Sequence, residues 1–317
     1  MQKRILILTF FILFISCRNT NTNTNDDNKI KASVSIFPIY DFTRNIAEDN
    51  INLQMIIKPG IEIHSFNSTP ADIINIQNSD VFIYIGGESE KWAEKIIASI
   101  DTNGKKIIRL MDYVNVLDEE IAEGMEEDEE HNHNDEHNHD EDVYDEHIWV
   151  SPKNAVLIVN TICKALSDID ASNADIYKAN ADKYNQKLLA LDNEIREALN
   201  SSKRKNIVFG DRFPFRYLTE EYGLEYRAPF KGCSSQSDAS PKTIAYLINY
   251  IKDNNIPYLY YIELSNGKIA DILIEHTGIN KLKLHSVQNI TKEEFDLNAS
   301  YLSIMRDNLE SLKKGLN

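Results

Sequence analysis

The run Asp145-Glu146-His147-Ile148-Trp149-Val150-Ser151-Pro152 divides this chain. Before it, strands and helices alternate and then give way to acids and histidines. After it, the pattern turns helical. His131, His133, His137 and His139 precede it, spaced by Asn and set among carboxylates. Imidazole and carboxylate both bind borderline divalent metals, and neutral imidazole is the commonest protein ligand for zinc. The reading places His147 in a structured metal site and makes the preceding run a weak collector of the same ion. Other parts of the chain must then supply the remaining ligands.

The charge supports this division. The net charge is −16 over 317 residues. Residues 118–146 hold sixteen Asp and Glu and no Lys or Arg, which leaves 34 acids against 34 bases elsewhere. The acidity is therefore local to one loop. It repels phosphates and argues against a nucleic acid partner there. With 42% apolar content the chain can build two α/β units with proper cores.

At the N-terminus, Lys3 and Arg4 precede an apolar run from Ile5 to Ile15, shorter than the ~20 residues a spanning helix needs. It reads as a signal peptide, residues 1–16. Ser16-Cys17 at its end resembles a bacterial lipoprotein signal, with Cys17 as the lipidated residue. Residues 17–28, polar and Asn/Thr-rich, read as a flexible tether. Cys163 lies in an apolar helical pattern and Cys233 in a loop; the sequence neither requires nor excludes a bridge between them.

Residues 29–168 read as an α/β unit. Strands are expected at 30–37, 51–57, 80–85 and 106–110, with helices between them. His64 falls on the loop after the second strand, where open α/β sheets place ligand groups. Thr69-Pro70-Ala71-Asp72 is a helix start. Residues 171–199 show apolar residues at helical spacing with no Pro or Gly, which predicts one long stiff helix over 169–201. Residues 202–317 restart the strand–loop–helix pattern. Strands are expected at 206–209, 224–228, 258–263 and 281–285, so this is a second α/β unit. The fold class is therefore α/β, with two lobes, each a parallel-type sheet flanked by helices, joined by one long rigid helix.

This order of features resembles a known family, the metal-binding lipoproteins of ABC importers for zinc and manganese. Gly60-Ile61-Glu62-Ile63-His64-Ser65-Phe66 is similar to the family's first ligand loop, with Ile63 where Pro is usual. Glu146-His147-Ile148-Trp149-Val150-Ser151-Pro152 is similar to its second, and an acidic His-rich insertion before it is typical of the zinc branch. Asp238-Ala239-Ser240-Pro241 matches a segment of the second lobe. Two positions depart from the pattern. The third ligand, usually His or Glu, falls in Gly210-Asp211-Arg212-Phe213, where Asp211 is the candidate. The fourth, usually Asp or Glu, is His285. The resemblance implies a metal site in the inter-lobe cleft built from His64, His147, Asp211 and His285, a set that suits Zn2+ better than Mn2+. It implies a monomeric, extracytoplasmic zinc-binding component, lipid-anchored to the membrane, that hands its ion to an ABC permease. A manganese importer component and a metal-buffering or adhesin lipoprotein are the alternatives. A zinc hydrolase is disfavoured, since no HExxH spacing or nucleophile elbow occurs.

Overall fold

The computed structural model describes residues 29–125, 143–234, 236 and 238–317. The signal peptide and tether with Cys17, and His131, His133, His137 and His139, lie outside the described residues.

In the first half, β1 (Ile30–Val34), α1 (Phe37–Ala47), β2 (Ile51–Met55), α2 (Pro70–Gln77), β3 (Val81–Tyr84), α3 (Lys91–Ser99) and β4 (Lys106–Arg109) follow one another. All strand pairs are parallel, in the order β2-β1-β3-β4. Every residue of β3 is buried, as its unbroken apolar run requires for a central strand covered on both faces. Thr69 and Asp72 form a reciprocal capping box at α2, and Pro70 fills a first-turn position that needs no N–H.

Next come α4 (Pro152–Ile169) and α5 (Ala174–Asn200). Ser151 caps α4 by accepting from the Asn154 amide. The 27 residues of α5 span about 40 Å. Its buried face runs through Tyr177, Tyr184, Leu188, Leu191, Ile195 and Leu199. This helix packs on α1 and α4 at one side.

The second half contains β5 (Asn206–Val208), β6 (Arg212–Phe213), α6 (Arg216–Tyr222), β7 (Glu225–Arg227), β8 (Phe230–Lys231), α7 (Pro241–Asp253), β9 (Tyr258–Tyr261), α8 (Lys268–Thr277), β10 (Asn280–Lys283), α9 (Lys292–Asp296) and α10 (Tyr301–Leu316). Parallel pairs join β5 to β7, β9 to β10 and β6 to β8. A parallel bridge from Phe209 to Tyr260 ties the β5 strand to β9. The short strands β6 and β8 lie in stretches whose sequence reads as loop. Two residues are too few for alternation to show.

The two halves share the largest apolar cluster, and each half also holds a smaller one of its own. A single buried cluster runs from Ala32 through Trp149, Leu188 and Phe209 to Leu316. Both α6 and α10 also pack on α5. Buried Asp41 of α1 links three helices: it accepts from Tyr184 Oη of α5 at 3.0 Å and from the Tyr301 amide of α10 at 3.1 Å. Burial raises its carboxyl above the usual range, opposed by Arg44. Among the described residues, no helix is long and apolar enough to cross a membrane.

Candidate metal centre

His147 sits where the first half ends. It precedes a single 3-10 turn, Ile148–Val150, whose three residues are all buried. Bonds from distant segments fix that turn. Trp149 Nε1 donates to Ser286 O at 2.7 Å, Tyr301 Oη donates to Trp149 O at 2.8 Å, and Tyr217 Oη donates to Asp145 O at 2.7 Å. The ring is fully buried. Asp145 Oδ1 accepts from the His147 amide at 2.8 Å and stands 3.1 Å from Nδ1. A carboxylate there holds the proton on Nδ1 and leaves the lone pair on Nε2. That Nε2 is buried with no hydrogen-bond partner among the described residues. Burial alone lowers the pKa of this ring, but Asp145, Glu146 and Glu119 outweigh it and raise the value. Three carboxylates thus make this pocket attractive to a cation.

His64 lies on a 3-10 turn, Ile63–Ser65, capped by Glu62, whose side chain accepts from the Ser65 amide at 3.0 Å. The turn is tied to the second half. Gly60 N donates to Ile290 O at 2.7 Å, Asn289 Nδ2 donates to Lys58 O and Ile61 O, and Arg212 Nη1 pairs with Glu62 Oε1 at 2.9 Å. The imidazole side chain is only 8% exposed. Burial pushes its pKa down to about 4, helped by Arg212 and His147 and opposed by Glu62. His64 is therefore neutral at pH 7, the form that binds metal, and close enough to His147 for the two rings to act on each other electrostatically.

The two candidates of the second half lie around Glu263. Asp211 follows β5 and lines a cavity of about 190 Å³, together with Glu62, Arg212, Glu263 and Ser265. Its Oδ1 accepts from the Arg212 amide at 2.9 Å, while Oδ2 is buried and unpartnered. Burial raises its carboxyl, with Ser265 and Arg212 working against that. His285 is buried at the end of β10. Its Nδ1 accepts from the Val287 amide at 2.9 Å and lies 3.4 Å from Glu263, and its Nε2 stands 3.8 Å from Glu294. An accepting Nδ1 puts the hydrogen of the neutral ring on Nε2. Ligation through Nε2 requires His285 to give up the Val287 bond. Its contacts differ in this from those of His147.

One tight donor group emerges that the sequence did not point to. Ligand atoms of Glu146, His147 and Cys233 all lie within 4.8 Å of one another. Neither His64, Asp211 nor His285 belongs to this group. Glu146 is buried, and its Oε2 accepts from the Ser89 amide at 3.0 Å. Burial raises its carboxyl, with His147 as the main opposing charge. Cys233 follows β8. Its amide donates to Glu119 Oε1 at 3.3 Å, and Lys231 Nζ pairs with Glu119 Oε2 at 3.3 Å. Burial pushes the thiol well up, and Glu146, Asp145 and Glu119 add to that. Cys163 and Cys233 are both free. The sequence signal for Cys233 was a lone cysteine in a loop after a strand, which carries little without knowing that His147 lies beside it.

The chain is similar to proteins named for zinc binding and zinc uptake. The family model described as zinc-uptake complex component A, periplasmic, matches residues 33–315. The chain is 30% identical over 303 residues to the zinc-binding lipoprotein AdcA of Streptococcus pneumoniae, covering 96% of this chain and 58% of that protein. It thus spans little more than half the length of that relative. It is 32% identical over 315 residues to the high-affinity zinc uptake system protein ZnuA of Bacillus subtilis, covering 96% of this chain and 94% of the relative. The crystal structure of the Zn(II)-bound ZnuA-like domain of Streptococcus pneumoniae AdcA superposes with a TM-score of 0.73 at 28% identity, over 91% of this chain and 99% of that one.

Proposed function

The chain belongs to the zinc-uptake complex component A family, and on that premise we propose that it is the extracytoplasmic zinc-capturing component of an ABC metal importer. Zinc is the cargo. His64 and His147 are its donors from the first half, and Asp211 and His285 are those nominated from the second. The observation that carries the reading is His147 Nε2: a lone pair oriented by Asp145, buried, and without a hydrogen-bond partner among the described residues. An orphaned buried nitrogen costs stability, and an ion bonded to it removes that cost. Neutral His64, near enough for His147 to act on it electrostatically, adds a second imidazole, and imidazole donors favour zinc over manganese.

The family is one of solute-binding transport proteins, and the finer assignments are ours. Residues 29–168 and 202–317 form the two lobes, and 169–201 the connector. The shared core gives small lobe motion on binding. Residues 1–16 direct export, Cys17 carries a lipid, and the monomer is held at the membrane. His131, His133, His137 and His139 collect zinc weakly within 118–146 and raise its concentration near the cleft. The loaded protein then docks on a membrane permease, and the chain performs no catalysis.

Deleting the protein in its host and following labelled zinc uptake at scarce metal tests this. Uptake falls, and is restored by the wild-type chain but not by His147→Ala. Unchanged uptake would point instead to a metal buffer or adhesin of the same fold.

A further inference from the structure

We propose that the Cys233 sulfur is itself a zinc ligand, supplied by the second half of the chain to the ion held on His147. This rests on the zinc-capture reading and names a donor within it. Three observations carry it. Donor atoms of Glu146, His147 and Cys233 already lie within 4.8 Å of one another. On a tetrahedral zinc, with Zn–N about 2.1 Å and Zn–S about 2.3 Å, ligand atoms stand about 3.6 Å apart. The group therefore closes on an ion by shifts of about 1 Å, with no refolding.

The second observation is how the cysteine is delivered. A Cβ on Gly232 would lie 2.7 Å from His147 Cε1 and 3.0 Å from Nδ1. The missing side chain lets the backbone press onto the Cε1–Nδ1 edge of the imidazole, which brings residue 233 to the ring.

The third is charge. Two imidazoles and one carboxylate leave a buried zinc ion with an excess of one positive charge. His64, His147, the Glu146 carboxylate and a Cys233 thiolate make a neutral set, with Glu146 and Cys233 in the places nominated for Asp211 and His285, and neutrality matters most where water is absent. Glu146 remains anchored through Ser89 while offering its free lone pairs. As the sulfur–zinc bond forms, the thiol proton passes to solvent. Cys233 follows β8 in the second half, and His147 ends the first, so this bond also couples the halves.

The test is cobalt substitution in the full chain. One equivalent of Co2+ gives a near-ultraviolet sulfur-to-cobalt charge-transfer band. The band is lost in Cys233→Ser and Cys233→Ala and kept in Cys163→Ser and Cys17→Ser. Zinc binds the two Cys233 variants at least ~10-fold more weakly, since even indirect supports of a metal site cost that much. Wild-type protein that binds cobalt without the band, or a band that survives Cys233→Ser, would overturn the proposal. Neither result touches the broader reading, which is tested separately by zinc uptake and by the effect of His147→Ala on tight zinc binding.

Discussion

Asp145→Asn separates the orientation of His147 from its presence. One atom, Oδ1, accepts from the His147 amide at 2.8 Å and faces Nδ1 at 3.1 Å. In the variant the amide oxygen must keep that place, because the NH2 group there would confront an N–H donor. The tautomer is therefore preserved, and only the charge is lost. A hydrogen bond to a charged group contributes about 1.5–3 kcal/mol and a neutral one about 0.5–1.5 kcal/mol, so the ring loses about 1–1.5 kcal/mol of support for the metal-bound form. That corresponds to roughly tenfold weaker zinc binding, at the lower edge of what a carboxylate hydrogen-bonded to a metal-bound histidine contributes. Competition against a zinc chelator at fixed pH reads the change directly. In the same variant His147 loses its nearest anion, so its pKa falls, which NMR titration of the ring follows in the metal-free protein. An unchanged zinc affinity would refute the assignment of Asp145 as the group that orients the ligand.

Three other substitutions examine the surroundings. Gly232→Ala places a Cβ 2.7 Å from His147 Cε1 and 2.9 Å from Phe213 O, a backbone atom that cannot step aside, so stability falls by about 1–3 kcal/mol in urea titration. A neutral effect would show that the contact between Gly232 and the ring is loose. Glu90, fully buried and accepting from the Ile85 and Gly86 amides, is pushed up to about 7 by burial, with Glu146 adding to it. Its folded pKa lies above the unfolded one, so its contribution is fully present below about pH 4.5 and is lost as the pH rises through 7. Glu90→Gln removes that loss and gains up to about 3 kcal/mol relative to wild type between pH 5 and pH 8. Equal pH slopes would contradict it. Leu188→Ala, at the middle of α5, costs about 2–5 kcal/mol while unfolding stays a single transition, because one core spans both halves. Two separated transitions would show independent lobes.

The long-range architecture was legible because its signals are local. Buried β3 is an unbroken apolar run, α2 announces itself by Thr69-Pro70, and the heptad-like face of α5 is free of Pro and Gly. His64 and His147 stood out for the same reason, each lying in a motif readable within eight residues. The second-half donors did not, since a ligand there is defined by what it meets. His285 is a histidine at the end of a strand, but its Nδ1 is engaged by Val287. Cys233 looked incidental in the sequence, yet the fold carries it to His147 across 86 residues of chain. The acids that surround His147 include Glu119, at the other end of the charged loop, which the pairing of Asp118 with Tyr144 helps bring there.

The central claim is one tight zinc site built on His147 and His64. Its most direct test is a chelator-competition zinc titration of the wild-type chain beside His147→Ala and His64→Ala. The account predicts one zinc per chain bound far more tightly than the rest, weakened more than ~100-fold by either substitution, with only weak binding left to the histidine-rich stretch. A tight zinc that survives both substitutions would contradict it and move the site elsewhere in the protein.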